Sequence, residues 1–365
     1  MGKWAKLIVW WLVLLIMLAG MIYCIIFQLN IPENVFGISI KPDVFSVFVP
    51  EPTEPEHKVA PTEPVQETEK LEITWYPLPA DRALTARQAF VYNCDTQTYL
   101  YVIGQKEDRV YPASITKLFT AYVALQYLYL DQEVVAGDVL DAVAVDASVA
   151  GIKKGNVLTV EMLVQAMLLP SGNDASYLLA AAAGVAITGD EDMDPMAAVA
   201  CFVEEMNRQA RALGMTGSHF TNPDGYHNDE HYTSYQDLVT IGKLALENET
   251  IRQSAGTSEL AATCVSGEVL LWQNTNALLN PRTPYYCKYA TGLKTGYTEK
   301  AGNCLLSSFE YNGQQWLVGV FGSPEYEDRM ADTLQIFIDV IYNKKLPNRV
   351  VEEFLFCLNY LEPAI

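Results

Sequence analysis

The chain has 365 residues and a formal net charge of −20 at pH 7. Such an acidic chain lacks the clustered lysines and arginines that bind phosphate groups, so nucleic acid is not expected as a partner. The length allows one enzyme-sized domain of roughly 250 residues with attached segments.

The N-terminal segment is apolar and follows two positive charges. Lys3 and Lys6 precede a run from Leu7 to Phe27, which has about the length needed to cross a hydrocarbon core of ~30 Å. We expect a transmembrane anchor over residues 1–29; a cleaved signal peptide, with a weak cleavage site near Ala19, is the alternative. Lysines on the short N-terminal side place the rest of the chain outside the cytoplasm. The sequence therefore predicts a single-pass protein of the cell membrane.

Residues 30–84 separate this anchor from the first strand-like sequence. The stretch from Pro50 to Glu72 is rich in proline, glutamate and threonine, so it cannot bury a core and repels itself into an extended tether. We predict an extracytoplasmic linker here, with residues 31–49 left unassigned. The linker would hold the following domain tens of ångströms from the bilayer.

A folded domain is predicted over residues 85–345, with strands near both of its ends and helices between them. Strand-like stretches are Ala89–Tyr92, Tyr99–Ile103, Tyr289–Tyr297, Asn303–Glu310 and Gln314–Gly322. Helical stretches begin near Ser114, at Thr159, after Asp174, after Asp194 and at Glu325. This order predicts an α+β fold in which one antiparallel sheet packs against helices. Residues 346–365 form a short tail, for which packing on the core is favoured over contact with the membrane.

Seven cysteines occur in the chain without any C-x-x-C pair. Their spacing therefore argues against a zinc site, and no metal or cofactor is expected. Outside the cytoplasm disulfides are permitted, but several of these cysteines lie in apolar stretches. Free, buried thiols are therefore slightly favoured.

Three short motifs carry the candidate chemistry. Ser114 stands three residues before Lys117, which puts the hydroxyl and the amine on one face of a helix start. An adjacent base is one way to activate a serine, which is otherwise a poor nucleophile. Further along the chain lie Ser171-Gly-Asn173, between two helices, and Lys294-Thr-Gly296, in a strand that runs into a hairpin.

The order S-x-x-K, S-x-N, K-T-G resembles the serine-type D-Ala-D-Ala carboxypeptidases, the low-molecular-mass penicillin-binding proteins of peptidase family S11. The resemblance extends to four longer stretches and covers roughly residues 85–344. These stretches are Val157–Ser176, Phe220–Gly225, Tyr232–Leu238 and Gly292–Gly302. The resemblance implies the β-lactamase/transpeptidase-like fold, with an antiparallel sheet, a mostly helical subdomain and a site in the cleft between them.

The resemblance also implies how a D-Ala-D-Ala bond would be cleaved. Ser114 would attack the scissile carbonyl, and Lys117 would accept the serine proton. Desolvation and the neighbouring charge of Lys294 would lower the pKa of Lys117. Ser171 would relay a proton to the leaving nitrogen, and Asn173 would hydrogen-bond both the Lys117 amine and the substrate amide carbonyl.

A second group of residues would bind the substrate. Lys294 and Thr295 would recognise the terminal carboxylate, helped by Arg329 at the start of the last helix. Gly296 has no side chain, so the substrate backbone could approach the strand closely. The backbone N–H group of Tyr297, together with that of the nucleophile, would form the oxyanion hole.

These residues imply a peptidoglycan stem peptide as substrate and β-lactam antibiotics as ligands. Three alternatives remain open: an endopeptidase or transpeptidase acting on cross-links, a β-lactamase, and a non-catalytic cell-wall-binding module on the same scaffold. A β-lactamase needs a glutamate that activates water. Glu204 and Glu205 are candidates by position, but their helix period predicts that both face solvent. Relatives also carry a second C-terminal domain, which we expect to be absent here.

Overall fold

The computed structural model describes residues 83–105 and 108–344. The predicted anchor, nearly all of the predicted linker and the predicted tail lie outside these residues. Within the described ranges, none of the helices is both long and apolar enough to span a bilayer.

The main sheet is antiparallel and has five strands in the order β2-β1-β9-β8-β7. Its strands are β1 (Gln88–Asn93), β2 (Thr98–Ile103), β7 (Ala290–Thr298), β8 (Gly302–Tyr311) and β9 (Gln314–Ser323). The first and last segments of the domain therefore meet in one sheet, as predicted. Two small ribbons were not predicted: β3 (Glu133–Val135) with β4 (Val157–Thr159), and β5 (Glu259–Thr263) with β6 (Val269–Gln273).

The sequence between β2 and β7 is mainly helical. Its helices are α1 (Thr116–Ala124), α2 (Val160–Leu168), α3 (Asn173–Thr188), α4 (Pro195–Ala212), α5 (Tyr235–Glu247) and α6 (Glu249–Gly256). After β9 comes α7 (Tyr326–Ile336), which continues into a π-helical turn, Phe337–Tyr342. Short 3-10 turns are Ala113–Ile115, Asp138–Ala142 and Ala277–Leu279. The α+β architecture is therefore confirmed, although α5 and α6 were not predicted.

Local side-chain chemistry explains where several elements begin. The Thr159 hydroxyl accepts a hydrogen bond from the Met162 N–H at 3.2 Å and caps α2. Asp194 caps α4 by accepting from the N–H groups of Met196 and Ala197, with Pro195 as the first helical residue. These are the side chains that N-caps require. Both predicted starts are confirmed.

The sheet has apolar side chains on both faces and so separates two cores. Along β1, Phe90 and Tyr92 pack among the helices, whereas Ala89 and Val91 pack against α7 and the turn that follows it. This alternation follows from the two-residue period of a strand. The side that contains α1 to α6 holds the larger core, and the candidate site lies where that core meets β7.

Cysteine pairing can be judged for five of the seven residues. In the part of the chain that the structure describes, Cys94, Cys201, Cys264, Cys287 and Cys304 are free thiols, and the last three are buried. The preference for free thiols is confirmed for these positions. Cys24 and Cys357 lie outside the described residues.

Close packing of α3 against α4 depends on Gly184. A Cβ atom at this position would overlap the backbone carbonyl of Ala198, and a backbone carbonyl cannot rotate away. We expect Gly184→Ala to lower the free energy of unfolding by about 1–3 kcal/mol, the usual penalty for overpacking. Urea unfolding of the folded domain measures this change.

Gly137→Ala is the matched control, because Gly137 has a negative φ and no atom within 4 Å of the added Cβ. This variant should stay within about 0.5 kcal/mol of the wild type. Equal stability of the two variants would contradict the packing argument.

Candidate active site

Ser114 lies in the 3-10 turn that leads directly into α1. The neighbouring backbone approaches this turn very closely from two sides. A Cβ atom on Gly225 would overlap the Ala113 carbonyl, and one on Gly296 would lie 2.8 Å from the Pro112 carbonyl oxygen. Gly296 is therefore needed to seat β7 against the Ser114 turn, in addition to its predicted role in admitting substrate.

The Lys117 amine is fully buried and has three oxygen partners. Its Nζ atom donates to Ser114 Oγ at 2.8 Å, to Asn173 Oδ1 at 2.8 Å and to the Asp224 carbonyl oxygen at 2.9 Å. Burial lowers the pKa of Lys117 to about 8, while the negative charges of Asp224 and Asp174 act in the opposite direction. The lysine is thus neutral for part of the time near neutral pH, as a base for Ser114 must be.

The lowered pKa of Lys117 has one of the two causes predicted. Desolvation is the main cause, as the sequence interpretation expected, but the charge of Lys294 is not among the causes at Lys117. The charge of Lys117 instead contributes to lowering the pKa of Lys294, for which burial is again the main cause. The removal of water from the amine therefore controls its proton affinity.

Asp224 is a site residue that sequence reasoning missed. Its buried carboxylate accepts a hydrogen bond from Asn173 Nδ2 at 2.5 Å, so the amide oxygen of Asn173 is turned toward the Lys117 amine. Burial raises the pKa of Asp224, and the charge of Lys117 opposes that shift. The resemblance included the Pro-Asp-Gly stretch, but no local pattern connects it with a lysine more than a hundred residues earlier.

Ser171 occupies a constrained position before α3. Its backbone has φ +67°, a left-handed value that is uncommon for a serine. The Asp174 carboxylate fixes the adjoining loop by accepting from the N–H groups of Ala150 at 2.8 Å and Ile152 at 3.0 Å. Ser171 is nearly buried, and it lines the same cleft as Ser114.

The opposite wall of the site comes from β7 and α7. Lys294 is buried, and its amine donates to the Thr295 carbonyl oxygen at 3.1 Å. Arg329 is also buried, and Nη1 donates to the Gly296 carbonyl oxygen at 3.0 Å. Tyr297 is 61% exposed, and the role of its backbone N–H in the oxyanion hole stays a prediction.

Lys294 and Arg329 together make a positively charged pocket. In the described part of the chain neither of them forms an ion pair, and Arg329 Nε has no hydrogen-bond partner. Burial lowers the pKa of both side chains, because a charged group loses water contacts in the interior. A bound carboxylate would offset this desolvation and satisfy the free donors.

All nine predicted site residues meet at one cleft of about 1010 Å³. Lys117 and Lys294 lie behind its surface, where they contact the residues described above. The remaining seven line it: Ser114, Ser171, Asn173, Thr295, Gly296, Tyr297 and Arg329.

The two glutamates considered for a β-lactamase lie elsewhere. Neither Glu204 nor Glu205 lines the cleft. The prediction that both face solvent is wrong for Glu205, which is buried and bonded to Arg208 at 2.6 Å and to the Tyr127 hydroxyl. The Arg208 hydrogen bond is the main reason that the pKa of Glu205 falls to about 2. This carboxylate therefore connects α4 to the turn after α1 and does not line the cleft.

The sheet order, the helical subdomain and the serine–lysine cleft together define a peptidase of the β-lactamase/transpeptidase-like fold. The chain belongs to the D-alanyl-D-alanine carboxypeptidase family, peptidase S11, whose model matches residues 77–325. This match confirms the predicted family and the prediction of a serine-type carboxypeptidase.

Individual relatives agree with this assignment. The chain is 28% identical over 260 residues to the D-alanyl-D-alanine carboxypeptidase DacF of Bacillus subtilis, and this covers 70% of the chain and 62% of DacF. It is 31% identical over 262 residues to a D-alanyl-D-alanine carboxypeptidase of Streptomyces strain K15, covering 69% of the chain and 86% of the relative.

Two solved structures have the same fold. The crystal structure of the Streptomyces K15 DD-transpeptidase superposes with a TM-score of 0.63 and 30% identity, covering 70% of this chain and 97% of that one. The ampicillin-bound penicillin-binding protein D2 of Listeria monocytogenes superposes with a TM-score of 0.56 and 27% identity, covering 70% and 96%.

The surroundings of Lys117 predict a specific pH dependence. The rate of acylation by benzylpenicillin should rise as the pH increases through about 8, because only the neutral amine accepts the Ser114 proton. In Asp224→Asn this inflection should move to lower pH, since a carboxylate that raises the pKa of Lys117 has been removed. Stopped-flow measurement of acylation between about pH 5 and about pH 10 follows the shift.

Asp146→Asn is the matched control for charge. Asp146 lines the same cleft but is not among the groups that shift the pKa of Lys117. The acylation rate of Asp146→Asn should therefore have its inflection at the same pH as that of the wild type. An unchanged or higher inflection in Asp224→Asn would show that the base is a different group.

Proposed function

We propose that this protein removes the terminal D-alanine from peptidoglycan stem pentapeptides through an acyl-enzyme formed on Ser114. The observation that carries this proposal is the hydrogen bond of 2.8 Å between the Ser114 hydroxyl and the fully buried Lys117 amine. It places a nucleophile and a base of suitable pKa together at the floor of a cleft. Family membership supports the same reaction.

Acylation proceeds by attack of Ser114 Oγ on the carbonyl carbon of the penultimate D-alanine. Lys117 takes the hydroxyl proton, and the N–H groups of Ser114 and Tyr297 stabilise the oxyanion. Ser171 relays the proton held by Lys117 to the amide nitrogen as the C–N bond breaks, so Lys117 and Ser171 return to their starting states and free D-alanine leaves with a neutral amine. Water then hydrolyses the ester, which regenerates the serine and releases the shortened peptide.

The buried cations account for selection of a chain terminus. Lys294, Thr295 and Arg329 meet at the cleft wall next to Gly296, and neither buried cation forms an ion pair among the described residues. The terminal carboxylate of D-alanine supplies the missing negative charge. A peptide without a free carboxylate would leave these donors desolvated and unpaired.

β-Lactam antibiotics are the expected inhibitors of this site. Their strained amide and adjacent carboxylate present the same groups as the D-Ala-D-Ala terminus, so the Ser114 hydroxyl would be acylated in the same way. The Listeria relative, whose fold this chain shares, was solved in an ampicillin-bound form.

A second activity has specific support. The Streptomyces K15 structure that superposes on this chain is named a DD-transpeptidase. The same acyl-enzyme would then be attacked by an amine instead of water, with release of D-alanine in the first step of both reactions.

We also propose that residues 1–29 anchor the catalytic domain to the outer face of the cell membrane through the linker 30–84. The support is the position of Lys3 and Lys6 before the apolar run that ends at Phe27. In this arrangement the cleft reaches a polymeric substrate at a distance from the bilayer.

The nucleophile can be tested with one substitution. Ser114→Ala should abolish both the release of D-alanine from diacetyl-Lys-D-Ala-D-Ala and covalent labelling by a fluorescent penicillin, because both reactions form an ester on the same oxygen. Ser258 lies outside the cleft, so Ser258→Ala should release D-alanine and be labelled at the wild-type rates. Stoichiometric labelling of Ser114→Ala would place the nucleophile elsewhere, and a wild type that never releases D-alanine would favour a non-catalytic wall-binding module.

Mass spectrometry of purified peptidoglycan separates the possible reactions. Conversion of pentapeptides to tetrapeptides shows the carboxypeptidase. Loss of cross-linked dimers shows an endopeptidase, and new cross-links formed with an added amine acceptor show transpeptidation.

The anchor is tested on the full-length chain. We expect it in the membrane fraction with an intact mass that includes residues 1–29, and with its catalytic domain open to an added protease in spheroplasts. A mature N-terminus near Ala19 and release into the medium would instead show a cleaved signal peptide.

A further inference from the structure

Thr275 is a threonine at the cleft to which none of the three motifs assigns a role. It lies two residues after the end of β6 and lines the cleft beside Thr295. Its hydroxyl lies 2.5 Å from the Thr295 hydroxyl, and Thr295 belongs to the group that binds the substrate carboxylate in the proposed function. We propose that Thr275 is a positioning residue that directs the Thr295 hydroxyl proton toward that carboxylate. This inference rests on the proposed function.

The hydrogen-bond direction follows from the chemistry of a hydroxyl. Each hydroxyl donates one proton and accepts others. When a carboxylate binds, Thr295 must donate to it, so the Thr295 oxygen is free to accept the proton of Thr275. Thr275 then donates to Thr295, and Thr295 donates to the carboxylate, so both hydroxyl protons form hydrogen bonds. Consecutive hydrogen bonds of this kind strengthen one another. Without the Thr275 hydroxyl, the Thr295 hydroxyl loses the partner that orients it.

The backbone of Thr275 connects the other two walls of the cleft. Its N–H group donates to the Leu169 carbonyl oxygen at 3.1 Å, two residues before Ser171. Its carbonyl oxygen accepts from the Tyr326 hydroxyl at 3.3 Å. The ring of Tyr326 in turn lies 4.3 Å from the Arg329 guanidinium carbon, in a cation–π contact. Thr275 therefore contacts the segment before Ser171, the β7 wall and the residue that packs on Arg329.

Two buried asparagines hold Thr275 in place. Asn274 Nδ2 donates to the carbonyl oxygens of Ala255 at 3.0 Å and Thr257 at 2.9 Å, which fixes the turn to the end of α6. Asn276 Nδ2 donates to the Gly292 carbonyl oxygen at 3.0 Å, which fixes the turn to β7. The position of Thr275 is thus set by contacts that do not involve its own side chain. Removing its hydroxyl should leave the turn intact.

The test compares Thr275→Val with Thr275→Ser. Valine keeps the shape and removes the hydroxyl, whereas serine keeps the hydroxyl. For diacetyl-Lys-D-Ala-D-Ala we expect Thr275→Val to lower kcat/KM by about tenfold, the upper end of the effect of losing a hydrogen bond between uncharged groups. Thr275→Ser should stay within about threefold of the wild type, because it restores the same donor.

A carboxylate-specific readout separates positioning from general damage. The same peptide with a terminal carboxamide lacks the negative charge, so Thr275→Val should change its cleavage far less than that of the acid. Thermal unfolding of both variants should match the wild type. The inference is overturned if Thr275→Val cleaves the acid at the wild-type rate, if acid and carboxamide lose activity equally, or if serine fails to restore activity. A wild type that releases no D-alanine would instead overturn the proposed function.

Discussion

The burial of one amine controls the rest of the site. An isolated ammonium group is strongly destabilised away from water, so Lys117 can be fully buried only with hydrogen-bond acceptors around it and a lowered pKa. Its three acceptors belong to Ser114, Asn173 and Asp224. They come from the start of α1, the start of α3 and the loop before α5, so the helical subdomain must assemble before the base has its environment.

Close backbone contacts explain why that environment excludes water. Gly225 and Gly296 allow two chain segments to pack directly on the turn that carries Ser114. Asn173 accepts from nothing in this network but the lysine, while its amide nitrogen is held by Asp224. The Asp224 carboxylate therefore fixes the orientation of the Asn173 amide. The Lys117 amine contacts the Ser114 hydroxyl directly, without solvent between them. Preorganisation of this kind is what electrostatic catalysis requires.

The sequence was sufficient wherever a signal was local. The helix starts at Thr159 and Asp194 need only neighbouring residues, and each is present. The three motifs could be grouped because their order resembles a family. Asp224 and Thr275 could not be found in this way, because their hydrogen bonds in the site go to residues that are distant in sequence or lie in another element. The burial of Glu205 was missed for the same reason, since its partner Tyr127 lies on a different segment.

The two kinds of buried cation in the cleft have opposite requirements. Lys117 is surrounded by acceptors and lies close to two carboxylates, so it can exist with or without its proton and can pass that proton on. Lys294 and Arg329 form no ion pair with a carboxylate among the described residues, so their burial favours the binding of an anion. In the proposed function, the substrate carboxylate would supply this anion and, by the same contact, set the scissile carbonyl beside Ser114. Recognition of the terminus and placement of the reacting bond would then be one binding event, which a small, rigid group of residues can perform for an exopeptidase reaction.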